Sequence, residues 1–249
     1  MLKIVVPFYN AEKWISRCLN SIYYQNYKNF KCIVVNDASI DNSKNIIENM
    51  SHIKVDNRFL IIHNNKNLGA LENVYKSFEN TFLKESKEDI LITIDGDDFL
   101  FSKDSFSKLF DYYSKNEDLL LTYGNWIGWP NRQKSNCRKL DSKIIQNNLF
   151  RDIPFCYSHL RTFKRKLWDK LPKSLLKDEK NNFYKVASDV AIMIPMLEMA
   201  AERIKFIPDI LYCYNLINPI SDDKINSDNQ IKIDNNIRKF KKLNRVNLL

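Results

Sequence analysis

DILITIDGDDFL, residues Asp89–Leu100, is the stretch on which the reading of this chain turns. Asp89–Ile94 is a short apolar run, the length of a buried strand rather than of a helix. It ends in Asp95-Gly96-Asp97-Asp98, three carboxylates within four residues. Carboxylates this close repel one another unless a cation sits among them. Hard oxygen ligands on a backbone loosened by one glycine suit Mg²⁺ or Mn²⁺. An Asp-rich surface turn is the plain alternative, but the position directly after a buried strand favours the metal. An EF-hand is excluded, because the spaced ligands and closing glutamate are missing.

Upstream, the same punctuation repeats. Leu2–Pro7 (LKIVVP) reads as a strand, and Asn10 as the N-cap of a helix to about Gln25, with Trp14, Cys18, Leu19 and Ile22 on one face. Phe30–Val35 is a second strand, ending in Asn36-Asp37, followed by a helix over about Asp41–Met50. Phe59–Ile62 is a third, and Asn67-Leu68-Gly69 turns into a helix over about Ala70–Leu83. Such alternation predicts an α/β fold with a parallel, doubly wound sheet. Ligands of open α/β sheets bind outside the carboxyl ends of the strands. Four strand ends therefore converge on a rim of amides and carboxylates: Pro7–Asn10, Asn36–Ser39, Asn64–Asn67 and Asp95–Asp98. With four glycines in all, the chain has no GxGxxG or Walker loop.

The second half is less regular. A helix at about Ser105–Lys115 leads to a strand at Leu119–Tyr123. Gly124–Pro154, with Trp126 and Trp129, reads as loops and short helices, and Phe163–Leu171 as a short basic helix. Ala187–Ala201 is an apolar helix that Pro195 should kink. Lys205–Ile207 and Ile210–Tyr214 are strand candidates around Pro208, and Asp228–Arg245 reads as a charged helix ending in RKFKKLNR.

The 249 residues suit one α/β domain or two small ones, and 44% hydrophobic with 28% charged residues is ordinary for a soluble globular protein. The net charge of +9 fits a solvated basic surface, nucleic acid, an anionic membrane surface or phosphorylated ligands. Five widely spaced cysteines with no CxxC pair argue against a disulfide framework or zinc site, and for a reducing, cytoplasmic location. The N-terminus is too short in apolar residues for a signal peptide, and no run approaches the ~18 needed to span a membrane. The tail ends without a stop signal, which fits one domain of a longer polypeptide.

IVVPFYN at Ile4–Asn10, VVNDAS at Val34–Ser39, NKNLGALEN at Asn65–Asn73 and TIDGDDFL at Thr93–Leu100 together resemble, in order and spacing, the family 2 inverting glycosyltransferases. The likeness covers about the first 125 residues. More weakly, Ser188-Asp189 resembles the family's acidic base motif, and His159–Trp168 and Tyr214–Pro219 resemble segments of some members. The resemblance implies a GT-A (Rossmann-like) fold, with a mixed, mostly parallel central sheet and helices on both faces. Residues 1–125 would bind the nucleotide-sugar, 126–220 the acceptor, and 221–249 would form a charged helical tail. Pro7, Tyr9 and Asn10 would line the nucleobase and ribose pocket. Asp37 would bond the uracil or ribose, with Asn67 and Gly69 in the loop approaching the nucleotide. Asp95 would meet the ribose or sugar, Asp97 and Asp98 would hold Mn²⁺ or Mg²⁺, and Asp189 would be the general base. The donor would be a UDP-sugar, glucose or galactose, and the acceptor a hydroxyl on a glycan, polypeptide or lipid-linked molecule.

Each role has a competitor. Asp37 and Asp189 could cap helices. His159 could be ligand, acceptor contact or structural. Arg161 and Lys164–Lys166 could bind diphosphate or form a solvated face, and Trp126 and Trp129 could stack on sugar or pack. His52 and His63 read as structural. The family's late metal-ligating histidine has no counterpart after His159, which leaves Asn215, Asn218 or waters. The Gln-x-x-Arg-Trp motif of processive synthases is absent, favouring one sugar at a time. A nucleotidyltransferase would want a glycine-rich loop that VVPFYNAEK lacks. A basic nucleic-acid module would have no use for carboxylates clustered at a strand end, so no specific nucleic-acid partner is expected.

Overall fold

The computed structural model describes residues 1–82 and 86–247. In chain order the strands are β1 (Leu2–Phe8), β2 (Phe30–Asn36), β3 (Phe59–His63), β4 (Ile90–Thr93), β5 (Phe99–Leu100), β6 (Leu121–Trp129), β7 (Thr162–Lys164) and β8 (Ile204–Asn215). The α-helices are α1 (Ile15–Tyr23), α2 (Ser43–Glu48), α3 (Ser51–Lys54), α4 (Ala70–Lys76), α5 (Ser105–Ser114), α6 (Ser142–Gln146), α7 (Arg165–Trp168), α8 (Ser188–Ala200), α9 (Asp222–Ile225) and α10 (Ser227–Arg238).

The strands form one sheet in the order β3-β2-β1-β4-β7-β6-β8-β5. β3, β2, β1 and β4 are parallel, so their carboxyl ends share one edge. β7 runs antiparallel between β4 and β6, β8 is parallel to β6, and β5 closes the far edge antiparallel to β8. The expected mixed, mostly parallel sheet is thus present. Strand alternation sorts the core into two layers. Leu2, Ile4, Val6 and Phe8 of β1 pack with α1, α2, α3 and α5, whereas Val5 packs with α4, α7, α8 and α10. Among the described residues no helix is long and apolar enough to cross a membrane.

Several boundaries move. Asn10 does not cap α1, which begins at Ile15; its backbone is left-handed (φ 49°) and its Oδ1 accepts from the Ile40 amide at 2.9 Å. The helix expected over Asp41–Met50 ends at Glu48 and a separate short helix follows. α4 gives way at Ser77 to a π-turn through Thr81, and the expected end at Leu83 lies outside the described residues. Gly124–Trp129 is not loop but the second half of β6. Phe163 and Lys164, read as the start of a helix, belong to strand β7 (Thr162–Lys164); three residues are too few to display a period, and pairing on both sides makes them a strand. The two candidates around Pro208 are one strand. Gly124 pairs Ile207 and Asn125 pairs Ile210, so a bulge takes up the proline, which has no N–H to give the ladder. α8 runs through Pro195. The tail helix stops at Arg238, and residues 239–247 run without helix because their backbone bonds elsewhere: Val246 N–H donates to Met199 O at 3.0 Å, and Arg203 donates to Val246 O at 2.6 Å.

Candidate active site

The acidic turn sits where β4 leaves the sheet beside the end of β1. Gly96 N–H donates to Pro7 O at 3.2 Å, and a Cβ on Gly96 would come within 2.4 Å of Phe8 Cβ. No side chain fits there, which is why the turn carries glycine. Asp95 N–H donates to the Tyr212 hydroxyl at 3.1 Å. Asp98 turns inward, 1% exposed, with Oδ1 accepting from the Asn215 amide at 2.7 Å. Asp97 Oδ2 accepts from Asn218 Nδ2 at 2.7 Å, while Asn218 Oδ1 is taken by the Ile220 N–H. The two asparagines weighed as metal ligands thus brace the turn by donating to it.

His159 stacks on Tyr212 with ring centroids 4.5 Å apart. Its Nε2 is 3.1 Å from Asp95 Oδ2, and its Nδ1 is 2.9 Å from Ser158 Oγ. Burial above all, and then the Arg161 charge, lower the His159 pKa despite Asp95. The neutral imidazole can donate from Nε2 to Asp95 and accept from Ser158, whereas a cation in the cluster would require the proton on Nδ1, facing Ser158 Oγ, and a bare Nε2. Asp95 is pulled the other way: burial opposes ionisation, but the His159 hydrogen bond and the Arg161 charge outweigh it and hold the carboxyl at about 2. Asp98 is pushed well above the usual carboxylate range, by burial first and then by Asp97 and Asp95.

These environments bear on the expected metal. Asp98 Oδ2 is buried without a hydrogen-bond partner, and ligand atoms of Asp95, Asp98 and His159 all lie within 4.8 Å of one another. An orphaned carboxylate oxygen in a cluster of two carboxylates and an imidazole fits a divalent cation. Asp98 belongs to this group with Asp95 and His159, while Asp97, the other expected ligand, accepts from Asn218 through Oδ2.

Asp37, at the end of β2, spends its carboxylate on the next loop. Oδ1 accepts from Leu68 N–H and Asn64 Nδ2, and Oδ2 from Gly69 N–H, all at 2.8–2.9 Å. Asn67 Nδ2 donates to Asp37 O at 3.3 Å. Gly69 has φ +84°, a conformation side chains resist, and opens α4 beneath Lys185. Lys185 Nζ donates to Leu68 O at 2.5 Å. On the other side, Asp189 stands in the first turn of α8, and the cap position is Ala187. The Arg161 guanidinium, 8% exposed, lies 3.6 Å from Asp95 Oδ2 and 3.5 Å from Asp189 Oδ2. It is buried between these two carboxylates rather than on a solvated face, and it lines the cleft.

Pro7, Tyr9, Asn10, Asp37, Asn67, Gly69, Asp95, Asp97, Asp98 and Asp189 all line one open cleft of about 630 Å³. Lys164 and Lys166 do not reach it; both pair with Glu88, at 2.6 and 2.7 Å, and Arg165 pairs with Asp169 at 3.1 Å. Trp129 packs on Trp14 and under Arg17, and Trp126 on Tyr214, so the packing reading of the two tryptophans holds. Lys185 and the start of α10 (Asn226, Asn229, Gln230) also line the cleft. Neither carried a sequence signal, since one sits in a polar loop and the other in a tail with no evident site.

The sequence profile of glycosyl transferase family 2 matches residues 3–171. The chain belongs to glycosyl transferase family 2. Relatives in the family include the glycosyltransferase GlyG of Streptococcus pneumoniae serotype 4, 27% identical over 228 residues that cover 86% of this chain and 70% of that protein. GlyA of the same organism is 26% identical over 229 residues, again 86% of this chain but 30% of its own length. This chain thus spans less than a third of GlyA and about 60% of a second relative, EpsJ of Bacillus subtilis. Among solved structures, Staphylococcus aureus TarS with UDP-GlcNAc superposes with TM-score 0.60 at 21% identity, over 87% of this chain and 59% of that one. The mannosyltransferase PcManGT of Pyrobaculum calidifontis, in complex with GDP-Man and Mn²⁺, superposes with TM-score 0.64 at 17% identity, over 97% and 65%. The architecture is the family's GT-A fold.

Proposed function

We propose that this chain transfers one sugar from a UDP-sugar, glucose or galactose, to an acceptor hydroxyl, with inversion and with Mn²⁺ or Mg²⁺. What carries the reading is the single cleft into which four strand ends and the start of α8 deliver all ten expected residues. Residues 1–125 supply the donor side and 126–220 much of the acceptor side. The TarS complex with UDP-GlcNAc supports a uridine nucleotide, and the PcManGT complex a metal.

Pro7, Tyr9 and Asn10 flank the nucleoside, and Asp37 acts by fixing the Leu68–Gly69 backbone against it. Asp95, Asp97 and Asp98, with His159 beside them, would hold the cation, which supplies charge stabilisation to the departing diphosphate. Asp189 takes the proton from the acceptor hydroxyl as it attacks the far side of the anomeric carbon, a contribution of ~10²–10⁴-fold. Arg161, between Asp95 and Asp189, keeps both carboxylates aligned. Five free, buried cysteines fit a reducing compartment and support a cytoplasmic location.

A basic nucleic-acid module is disfavoured, because Arg238, Lys242 and Arg245 of the basic tail pair with Asp234, Asp152 and Glu202. The test is calorimetric titration of UDP with Mn²⁺ and then with EDTA, on wild type and on Asp97→Ala. Micromolar binding that needs both metal and Asp97 is expected. No UDP binding in either condition would remove the UDP assignment. Loss in Asp98→Ala but not Asp97→Ala would move the metal onto the Asp95–Asp98–His159 group.

A further inference from the structure

Along one stripe of α10 the residues run Asn226, Asn229 and Gln230, then Ile233, then Ile237. At spacings of three, four and seven they share one helix face. Ile237 is 2% exposed and Ile233 packs on the same core cluster. The stripe is therefore apolar where α10 lies on the core and turns to amides where it overhangs the cleft, which all three amides line. Asn226 uses its Nδ2 on Asp222 at 3.0 Å, but the amide heads of Asn229 and Gln230 make no hydrogen bond within the described residues. Ile220 and Ile225, 39% and 59% exposed, stand beside them on the cleft wall.

α8 and α10 both begin at the cleft and run away from it together. Lower down, Arg151 joins them: it donates to both Glu198 oxygens at 2.6 and 2.8 Å and to Ile237 O. The amide face thus belongs to the same side of the cleft as Asp189, the proposed base at the start of α8. Among the charged residues of the lining, six aspartates (Asp37, Asp95, Asp97, Asp98, Asp189 and Asp222) stand against Arg161, which lies between two of them, and Lys185, which donates to Leu68 O. A donor diphosphate adds two further negative charges. A bound divalent cation would offset those two charges, so an acceptor carrying phosphate or carboxylate would still meet a lining whose carboxylates outnumber its basic groups. Planar amides, which donate and accept at once, match the paired hydroxyls of a sugar, and apolar side chains match its C–H face.

We propose that the Asn226–Asn229–Gln230 face of α10 is the acceptor subsite and that the acceptor is an uncharged sugar; this rests on the glycosyltransferase reading above. The test measures UDP release from UDP-glucose and UDP-galactose with Mn²⁺, in the presence of p-nitrophenyl glucoside, galactoside and N-acetylglucosaminide, with p-nitrophenyl glucuronide and glycerol 3-phosphate as charged probes. A neutral glycoside should accept the sugar. Asn229→Ala and Gln230→Ala should each raise its KM about five- to tenfold, with Lys232→Ala, on the solvent side, as the unchanged control. Donor affinity, read separately by UDP calorimetry, tells the two readings apart. Normal UDP binding with transfer only to the charged probes, with unaltered KM in both variants, or with neutral glycosides that neither accept nor compete, overturns the subsite and leaves the transferase standing. Absence of UDP binding and of UDP release removes both.

Discussion

Gly96 and Asp98 are small residues with large local consequences. Because the missing Cβ of Gly96 would press on Phe8, Gly96→Ala should cost about 1–3 kcal/mol in urea denaturation and weaken Mn²⁺-dependent UDP binding. A variant as stable as wild type would mean that the turn relaxes freely. Asp95 and Asp98 respond to pH in opposite senses. Asp95, held at about 2, favours the folded state above its unfolded value near 3.9, and that contribution is lost as pH falls through about 2. Asp98, held high by burial and its two neighbours, favours the folded state at low pH, and the benefit is lost as pH rises through its raised value. A cation entering beside Asp98 must displace that proton. Mn²⁺ titrations across a range of pH, in buffers of different ionisation enthalpy, should report proton release at pH values below the raised Asp98 value, absent in Asp98→Asn. Equal heats in all buffers would contradict the protonated carboxyl. Of this site the acidic turn was readable in the sequence, because all its carboxylates are adjacent in the chain. The choice of Asp98 over Asp97 for the inward position was not, since Asn215 and Tyr212, which settle it, arrive on β8.

At the scale of elements, two connections hold the cleft open in its shape. The β2 end and the loop before α4 are tied by the Asp37 carboxylate, so Asp37→Ala should strand the Leu68 and Gly69 amides at about 1–3 kcal/mol and lower UDP affinity, read by denaturation and calorimetry on one sample. Lost affinity with unchanged stability would point instead to direct contact with the nucleotide. α8, α10 and the C-terminal segment are tied by Arg151 and Glu198, both nearly fully buried. Arg151→Met alone leaves a buried carboxylate unpaired and should cost about 3–5 kcal/mol, whereas Arg151→Met with Glu198→Met should recover most of it. A thermal double-mutant cycle checks this, and additive losses would deny the coupling. β1, β2 and β4 were legible as contiguous apolar runs. β7 was not, because three residues carry no period and its strand character comes from neighbours on either side.

Over the whole molecule, charge is divided: the chain carries +9, yet the charged residues lining the cleft are six aspartates against Arg161 and Lys185. Binding of a fluorescent RNA oligonucleotide should accordingly stay unsaturated at ~0.15 M salt, where exposed charges more than ~8 Å apart are screened. Saturable RNA binding with a steep salt slope would favour the basic-module reading. By itself the sequence determined the parallel half of the sheet, the rim of polar residues at its strand ends and the acidic turn. Each of these is written in consecutive residues, where strand period and turn chemistry are local. Only the tertiary structure decided that His159 and Arg161 reach Asp95, that Arg161 spans to Asp189, and that the amides of α10 overhang the cleft. Those contacts join residues distant in the chain, and they form because packing of α8, α10 and β8 around the sheet brings them together, which no local pattern encodes.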